Sequence, residues 1–277
     1  MNRSVLRTEV WLVLGLSLGA SAVWSLLRLV DLLTRPGGLA GATTRMNVPA
    51  DPGRPWLSVA TELVGVGLAL VPAALVLFLL GRDAVTGRDD AAAPGTTGAT
   101  GRGAADTRDA DRPLLAGARR LGLDLRRPGR DLRDATLLAA LIGIPGLGLY
   151  LVATAAGVNT TVQAASEGAP WWSLGLLVLA AVKNGVLEEV VLAYLLTRAR
   201  QLGRGPVAAV VAVALLRGCY HLYQGIGGGV GNVAMGLLLG AWFLRTRRVA
   251  PLVGAHVLID LVAFVGYALV APQVDWL

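Results

Sequence analysis

Apolar runs long enough to cross a bilayer recur along this 277-residue chain, and that recurrence leaves few folds open. A hydrocarbon core about 30 Å thick takes a helix of about 20 residues. Backbone polar groups must all be paired there, so only helices and closed barrels span it. The runs here are continuously apolar, whereas barrel strands alternate apolar and polar residues. The expected fold class is all-α: a polytopic transmembrane helix bundle of about seven spans. We read them at about 9–33, 57–80, 135–157, 171–197, 206–224, 230–244 and 251–271. Composition agrees: 55% of residues are hydrophobic and the mean hydropathy is +0.62, above the usual apolar share of about 45–50%.

The charges organise the runs. The net charge is +7 and the basic residues are arginines except Lys183, a usage that hints at a high-GC bacterial genome. The arginines flank apolar runs, which favours a membrane topology signal over nucleic-acid binding. The 81–134 stretch, the 198–204 turn and the 245–248 turn are basic, while 158–170 and 225–229 carry no Lys or Arg. Their alternation predicts a multi-pass plasma-membrane protein with a cytoplasmic N-terminus; Arg35, Arg45 and Arg54 in the 34–56 loop run against the trend. Arg3, Arg7 and Ala20-Ser21-Ala22 resemble a signal peptide, but the apolar run continues through Leu27, so a retained anchor helix is expected. Cys219 is the single cysteine, so no intramolecular disulfide forms.

Three regions follow. Residues 1–80 hold two N-terminal spans. Residues 81–134 form a cytoplasmic Arg-rich loop, expected to be largely disordered because 89–112 lacks aromatic and large aliphatic residues. Within it, Leu121, Leu123 and Leu125 alternate with polar residues, either as an interfacial segment on anionic lipid or as a plain linker. Residues 135–277 form a helix bundle with the candidate site. Gly15/Gly19, Gly227/Gly231 and Gly236/Gly240 have the small-xxx-small spacing that lets membrane helices approach closely.

The fourth run carries Glu188 and Glu189 side by side. A carboxylate at membrane depth costs roughly 2.5 kcal/mol or more and marks a protein interior or a wet cavity. Adjacent helix residues point about 100° apart, so if Glu188 lines a site, Glu189 needs another partner. The only histidines, His221 and His256, lie on later runs, and Asp260 sits one turn after His256. Asn232 either faces the same cavity or caps its helix. Each of these also reads as polar glue between helices.

This order resembles the CPBP family, the CAAX proteases and bacteriocin-processing enzymes, also called intramembrane glutamic endopeptidases. Its Glu-Glu-x-x-x-Arg motif maps on Glu188-Glu189, its Phe-x-x-x-His on His221, and its His-x-x-x-Asn/Asp on His256 and Asp260, within about 135–271. The chain departs from the pattern twice: Ala193 stands where the family has Arg, and Arg217 where it has Phe. We expect a swap, in which Arg217 supplies to Glu189 the positive charge that Ala193 lacks. The resemblance implies hydrolysis of a peptide bond without a covalent intermediate. Glu188 with His221 would activate water, and His256 with residue 260 would stabilise the oxyanion. An ionised Asp260 accepts hydrogen bonds only, so holding His256 in its donating tautomer suits it better.

No cofactor is expected; a zinc site of His221, His256 and Glu188 is the alternative. Expected partners are membrane lipid and a membrane-anchored peptide or protein substrate. Competing readings are a non-catalytic scaffold or immunity protein of the same fold, and a small carrier using the buried acids. Counted from the expected cytoplasmic ends at 1.5 Å per residue, His256, Glu188 and His221 lie at about 8, 14 and 22 Å depth. The drawn boundaries therefore do not bring them level.

Overall fold

A computed structural model describes residues 2–48, 53–85, 112–165 and 171–270. Nearly all of the stretch expected to be disordered lies outside these. The described helices are α1 (Arg3–Gly15), α2 (Leu18–Thr34), α3 (Pro55–Val85), α4 (Pro113–Arg120), α5 (Pro128–Ala155), α6 (Ser173–Gln201), α7 (Pro206–His221), α8 (Ile226–Thr246), α9 (Ala250–Leu261) and α10 (Tyr267–Val270). A π-turn, Val262–Gly266, joins α9 to α10. Proline opens α3, α4, α5 and α7, where its missing N–H costs no helical bond.

The chain is an all-α, multi-pass membrane bundle. Five helical stretches are long and apolar enough to cross a membrane: 55–83, 128–155, 206–224, 226–246 and 250–270. The pair α1 and α2, bent by 47°, meets the same measure of length and apolarity only when taken together. The fourth expected span, α6, has 29 residues, but Lys183, Glu188 and Glu189 make it too charged to stand in lipid alone. It buries an unbroken run from Glu189 to Leu196, which requires neighbours on every side. Those neighbours are α1, α3, α7, α8 and α9, so α6 is the axle of the bundle.

Two glycine pairs act as close-packing surfaces. A Cβ at Gly236 would sit 2.8 Å from Ala214 Cα, and one at Gly240 would sit 3.2 Å from Val210, both on α7. Gly227 and Gly231 press instead on Ala153 and Leu149 of α5. Gly15/Gly19 does not join helices: Gly15 faces open space, and Gly19 lies against its own chain at the α1–α2 bend.

Connections gather at two ends. At one, β1 (Thr43–Arg45) pairs in parallel with β2 (Thr161–Gln163), and Thr44 and Thr160 hydrogen-bond through their hydroxyls at 2.8 Å. At the other, α4 crosses α3 through Gly81 and Gly117, each against the partner's backbone. Residues 112–134 are thus a docked element. Leu121 is buried, Leu123 packs on the core, and Leu125 is 90% exposed. Between the first two, Gly122 has a φ of +67° and lies against Arg247 and Arg248 where a Cβ would collide. The Val249 N–H donates to Leu121 O at 2.8 Å. Arg248 donates to both oxygens of Asp131 and to Asp124. Burial opposes the charge on Asp124, but the Arg126 backbone N–H and the Arg248 guanidinium outweigh it and hold this carboxyl below its usual range.

Candidate active site

Helix α6 runs antiparallel to α9 and α7, and the pairings set the register. Glu189 meets His256 and Asn184 meets Asp260 across α6–α9. Glu188 meets Tyr220 and Glu189 meets Arg217 across α6–α7. Two bare glycine contacts let these helices approach closely. Across α6–α9 a Cβ at Gly185 would lie 2.8 Å from Val257, and across α7–α8, which seats α7, one at Gly218 would lie 2.4 Å from Val233. Continuation of α6 to Gln201, beyond the expected 197, puts Glu188 about 20 Å from that helix end at 1.5 Å per residue, which nears the count for His221 and leaves that for His256 short; the side chains meet because the helix ends are not level.

Arg217 is the hub. It is 1% exposed. Its NH1 donates to Glu189 Oε1 at 2.6 Å, its NH2 lies 3.4 Å from Glu188 Oε2, and its Nε lies 3.4 Å from Asn232 Oδ1. A buried guanidinium is tolerable only with several acceptors around it, and two carboxylates and an amide supply them. Arg217 and Ala193 also line one small cavity of about 10 Å³ with Glu189, Gly236 and Gly240. The short side chain at 193 leaves this room beside Arg217.

The two glutamates differ in access. The Glu189 side chain is 1% exposed, and its Oε1 also takes the Nδ1 of His256 at 2.8 Å. The Glu188 side chain is 13% exposed. Its Oε2 accepts from the Tyr220 hydroxyl at 2.7 Å, while its Oε1 takes no hydrogen bond from a described residue. Glu189 is a sealed structural charge, and Glu188 is a held carboxylate with one free oxygen.

Hydrogen-bond partners also fix the imidazoles. His221 Nδ1 lies 3.1 Å from the Arg217 carbonyl oxygen. A carbonyl only accepts, so Nδ1 carries the proton and Nε2 keeps its lone pair. For His256, the 2.8 Å contact with Glu189 requires a proton on Nδ1, so the Arg217 NH2 at 3.3 Å is a nearby cation, not a donor to that nitrogen. Asp260 lies 3.8 Å from His256 Nε2, beyond hydrogen-bond reach. His256 is oriented by Glu189, where the sequence pointed to Asp260; Asp260 instead accepts from Asn184 Nδ2 at 3.0 Å. Asn232 does not cap α8: its Nδ2 donates to Gly228 O within the helix.

Glu188 interacts electrostatically with His256, His221 and Arg217. The structure thus brings Glu188, Glu189, Arg217, Asn232, His256 and Asp260 into one network, with His221 bonded to the Arg217 backbone beside it. Sequence reasoning missed Tyr220 and Asn184. Asn184 stands four residues before Glu188, and Tyr220 three after Arg217; both spacings put them on the faces already marked. Among the described residues no three His, Cys, Asp or Glu side chains form a group that could hold a metal ion.

The family model of the type II CAAX prenyl endopeptidase Rce1-like proteins matches residues 170–262. This stretch is similar to that family. It covers 93 of the 277 residues, counting 170 through 262, and contains every candidate site residue named above. The Rce1-like match and the CPBP resemblance carried by the motifs point to one group of membrane peptidases. No curated protein matches the chain, and no solved structure does.

Proposed function

We propose that the chain is an intramembrane endopeptidase that hydrolyses a peptide bond of a membrane-associated protein or peptide by a glutamate-activated water. The observation that carries this reading is the contrast within the acidic doublet: Glu189 locked by Arg217 and His256, Glu188 held at one oxygen and free at the other. A water between Glu188 Oε1 and His221 Nε2 would give up a proton as its oxygen attacks the peptide carbonyl. General-base assistance of this kind contributes roughly 10²- to 10⁴-fold. As the imidazolium, with Nδ1–H on Glu189, His256 would offer its Nε2–H to the oxyanion, and the proton taken by Glu188 passes to the leaving amine. Arg217, Asn184 and Asp260 position these groups. The N-terminus is assigned to the cytoplasm of a bacterial plasma membrane on the arginine distribution, and the reaction needs no metal.

The test is substrate trapping in membranes that contain the Glu188→Gln protein. Precursors should accumulate relative to wild type, with at least a 100-fold loss of cleavage at unchanged protein level, and wild-type cleavage should resist chelators. Ala193 and Arg217 favour a second reading, a non-catalytic scaffold or immunity protein of the same fold. It takes over if precursor levels are identical in the two membranes.

A further inference from the structure

At the opposite end from β1 and β2, the first turns of α5 and the end of α8 enclose an open groove of about 520 Å³. Five arginines line it: Arg127, Arg130, Arg133, Arg245 and Arg248, with Asp131, Asp134 and Thr246. The acids are already committed. Asp131 holds Arg248 through both oxygens, with Asp124 as a further partner, and Asp134 holds Arg133 at 2.7 Å. Arg127, Arg130 and Arg245 are exposed and have no acidic partner among the described residues. Counting side chains, five positive and two negative charges leave a surplus of three.

Three unpaired guanidiniums around one concavity form a ready receptor for a phosphate, whose oxygens match the arginine fork. The N-terminus of α5 adds to this. Its N-cap, Arg127, makes no side-chain capping bond and Pro128 has no N–H, so the first-turn amides of Gly129 and Arg130 are left for an anion.

The surface beyond the groove identifies the kind of phosphate. Arg130, Arg133, Leu137, Leu141 and Ile144 follow one another at three- and four-residue steps and share one face of α5. The last three are 59%, 60% and 73% exposed. The cations therefore open directly onto an uncovered apolar stripe on a membrane-crossing helix. We propose that this groove seats the phosphate of an anionic phospholipid, whose acyl chains lie along the Leu137–Ile144 face of α5. The site is distinct from the acidic cluster, and the inference does not rest on the peptidase reading.

The experiment uses the full chain in detergent micelles with phosphatidylglycerol or phosphatidylcholine added, read by native mass spectrometry of retained lipid. Phosphatidylglycerol should be retained over phosphatidylcholine. The triple variant R127Q/R130Q/R245Q should lose about tenfold or more of that preference, since each arginine near an anionic surface contributes appreciably. The triple variant R3Q/R7Q/R204Q, with the same charge change outside the groove, should keep it. Single variants R130Q and R245Q give the same direction if the triple variant does not fold. Equal losses in both triple variants would overturn the proposal, because attraction would then be diffuse. So would displacement of the lipid by equimolar inorganic phosphate or glycerol phosphate, because the ligand would then be a free phosphate.

Discussion

Helix α6 is gripped by two buried arginines, nine residues of helix apart in their points of attachment, and the two grips differ in kind. Near its C-terminal end, Arg198, itself on α6 and fully buried, donates to Asp83 of α3 at 2.7 Å and to Glu9 of α1 at 3.1 Å. Arg82 closes the set on Glu9 at 2.6 Å. Among the described residues two acids meet two bases, no histidine is present, and the guanidinium stacks on Tyr194 at 5.0 Å. Around Glu189, three carboxylates and two imidazoles gather about a single guanidinium, Arg217. Among the described residues the first set is charge-balanced. The second leaves its balance to groups that gain and lose protons. Enclosure and ion pairing are common to both sets; the acid surplus with an accessible oxygen, on which the proposed chemistry rests, belongs to the second.

The sharpest break in this comparison is Glu188→Gln against Arg198→Met. The first should abolish cleavage while thermal unfolding stays near wild type. The second should lower the unfolding temperature while turnover per folded molecule is kept. Next comes Arg217→Ala, which strands Glu189 in a sealed site. Breaking a buried pair from one side costs about 3–5 kcal/mol, so unfolding in mild detergent should show that loss together with lost activity. The swap itself can be reversed. Ala193→Arg and Arg217→Phe should each destabilise, and the double variant should recover about 1–3 kcal/mol of the summed loss; strict additivity would mean that 193 and 217 do not share one role.

Asp260→Asn keeps an acceptor for Asn184 and should change turnover less than tenfold, because Glu189, not Asp260, holds His256. The smallest effect lies outside the membrane. Asp124 has its carboxyl lowered in the folded chain, so its stabilisation is complete above the unfolded value of about 3.9. It is lost as pH falls through the folded value. Asp124→Asn should remove only that acid-side slope in stability.

Much of the bundle is legible because hydropathy is a local property: each expected span corresponds to a helix or a bent pair. The proline starts are legible for the same reason. The reach of α6 to Gln201 is not, because Arg198 and Arg200 look like a turn beyond a span, while tertiary packing carries the helix past them. Arg217 is legible from its place four residues before His221. Tyr220 hides as an ordinary interfacial aromatic, and Asn184 as one small amide among apolar residues. The Glu9–Asp83–Arg198 set and the β1–β2 pair are invisible in sequence, since charges and strands from remote segments share no period.

The double grip on α6 also bears on how a polypeptide reaches Glu188. A rod fastened at Glu189 and again at Arg198 cannot slide or swivel without tearing both fastenings at once. On the proposed reading, a scissile bond would be admitted by helices outside both fastenings, while α6 stays together with α1, α3, α7 and α9, to which it is tied.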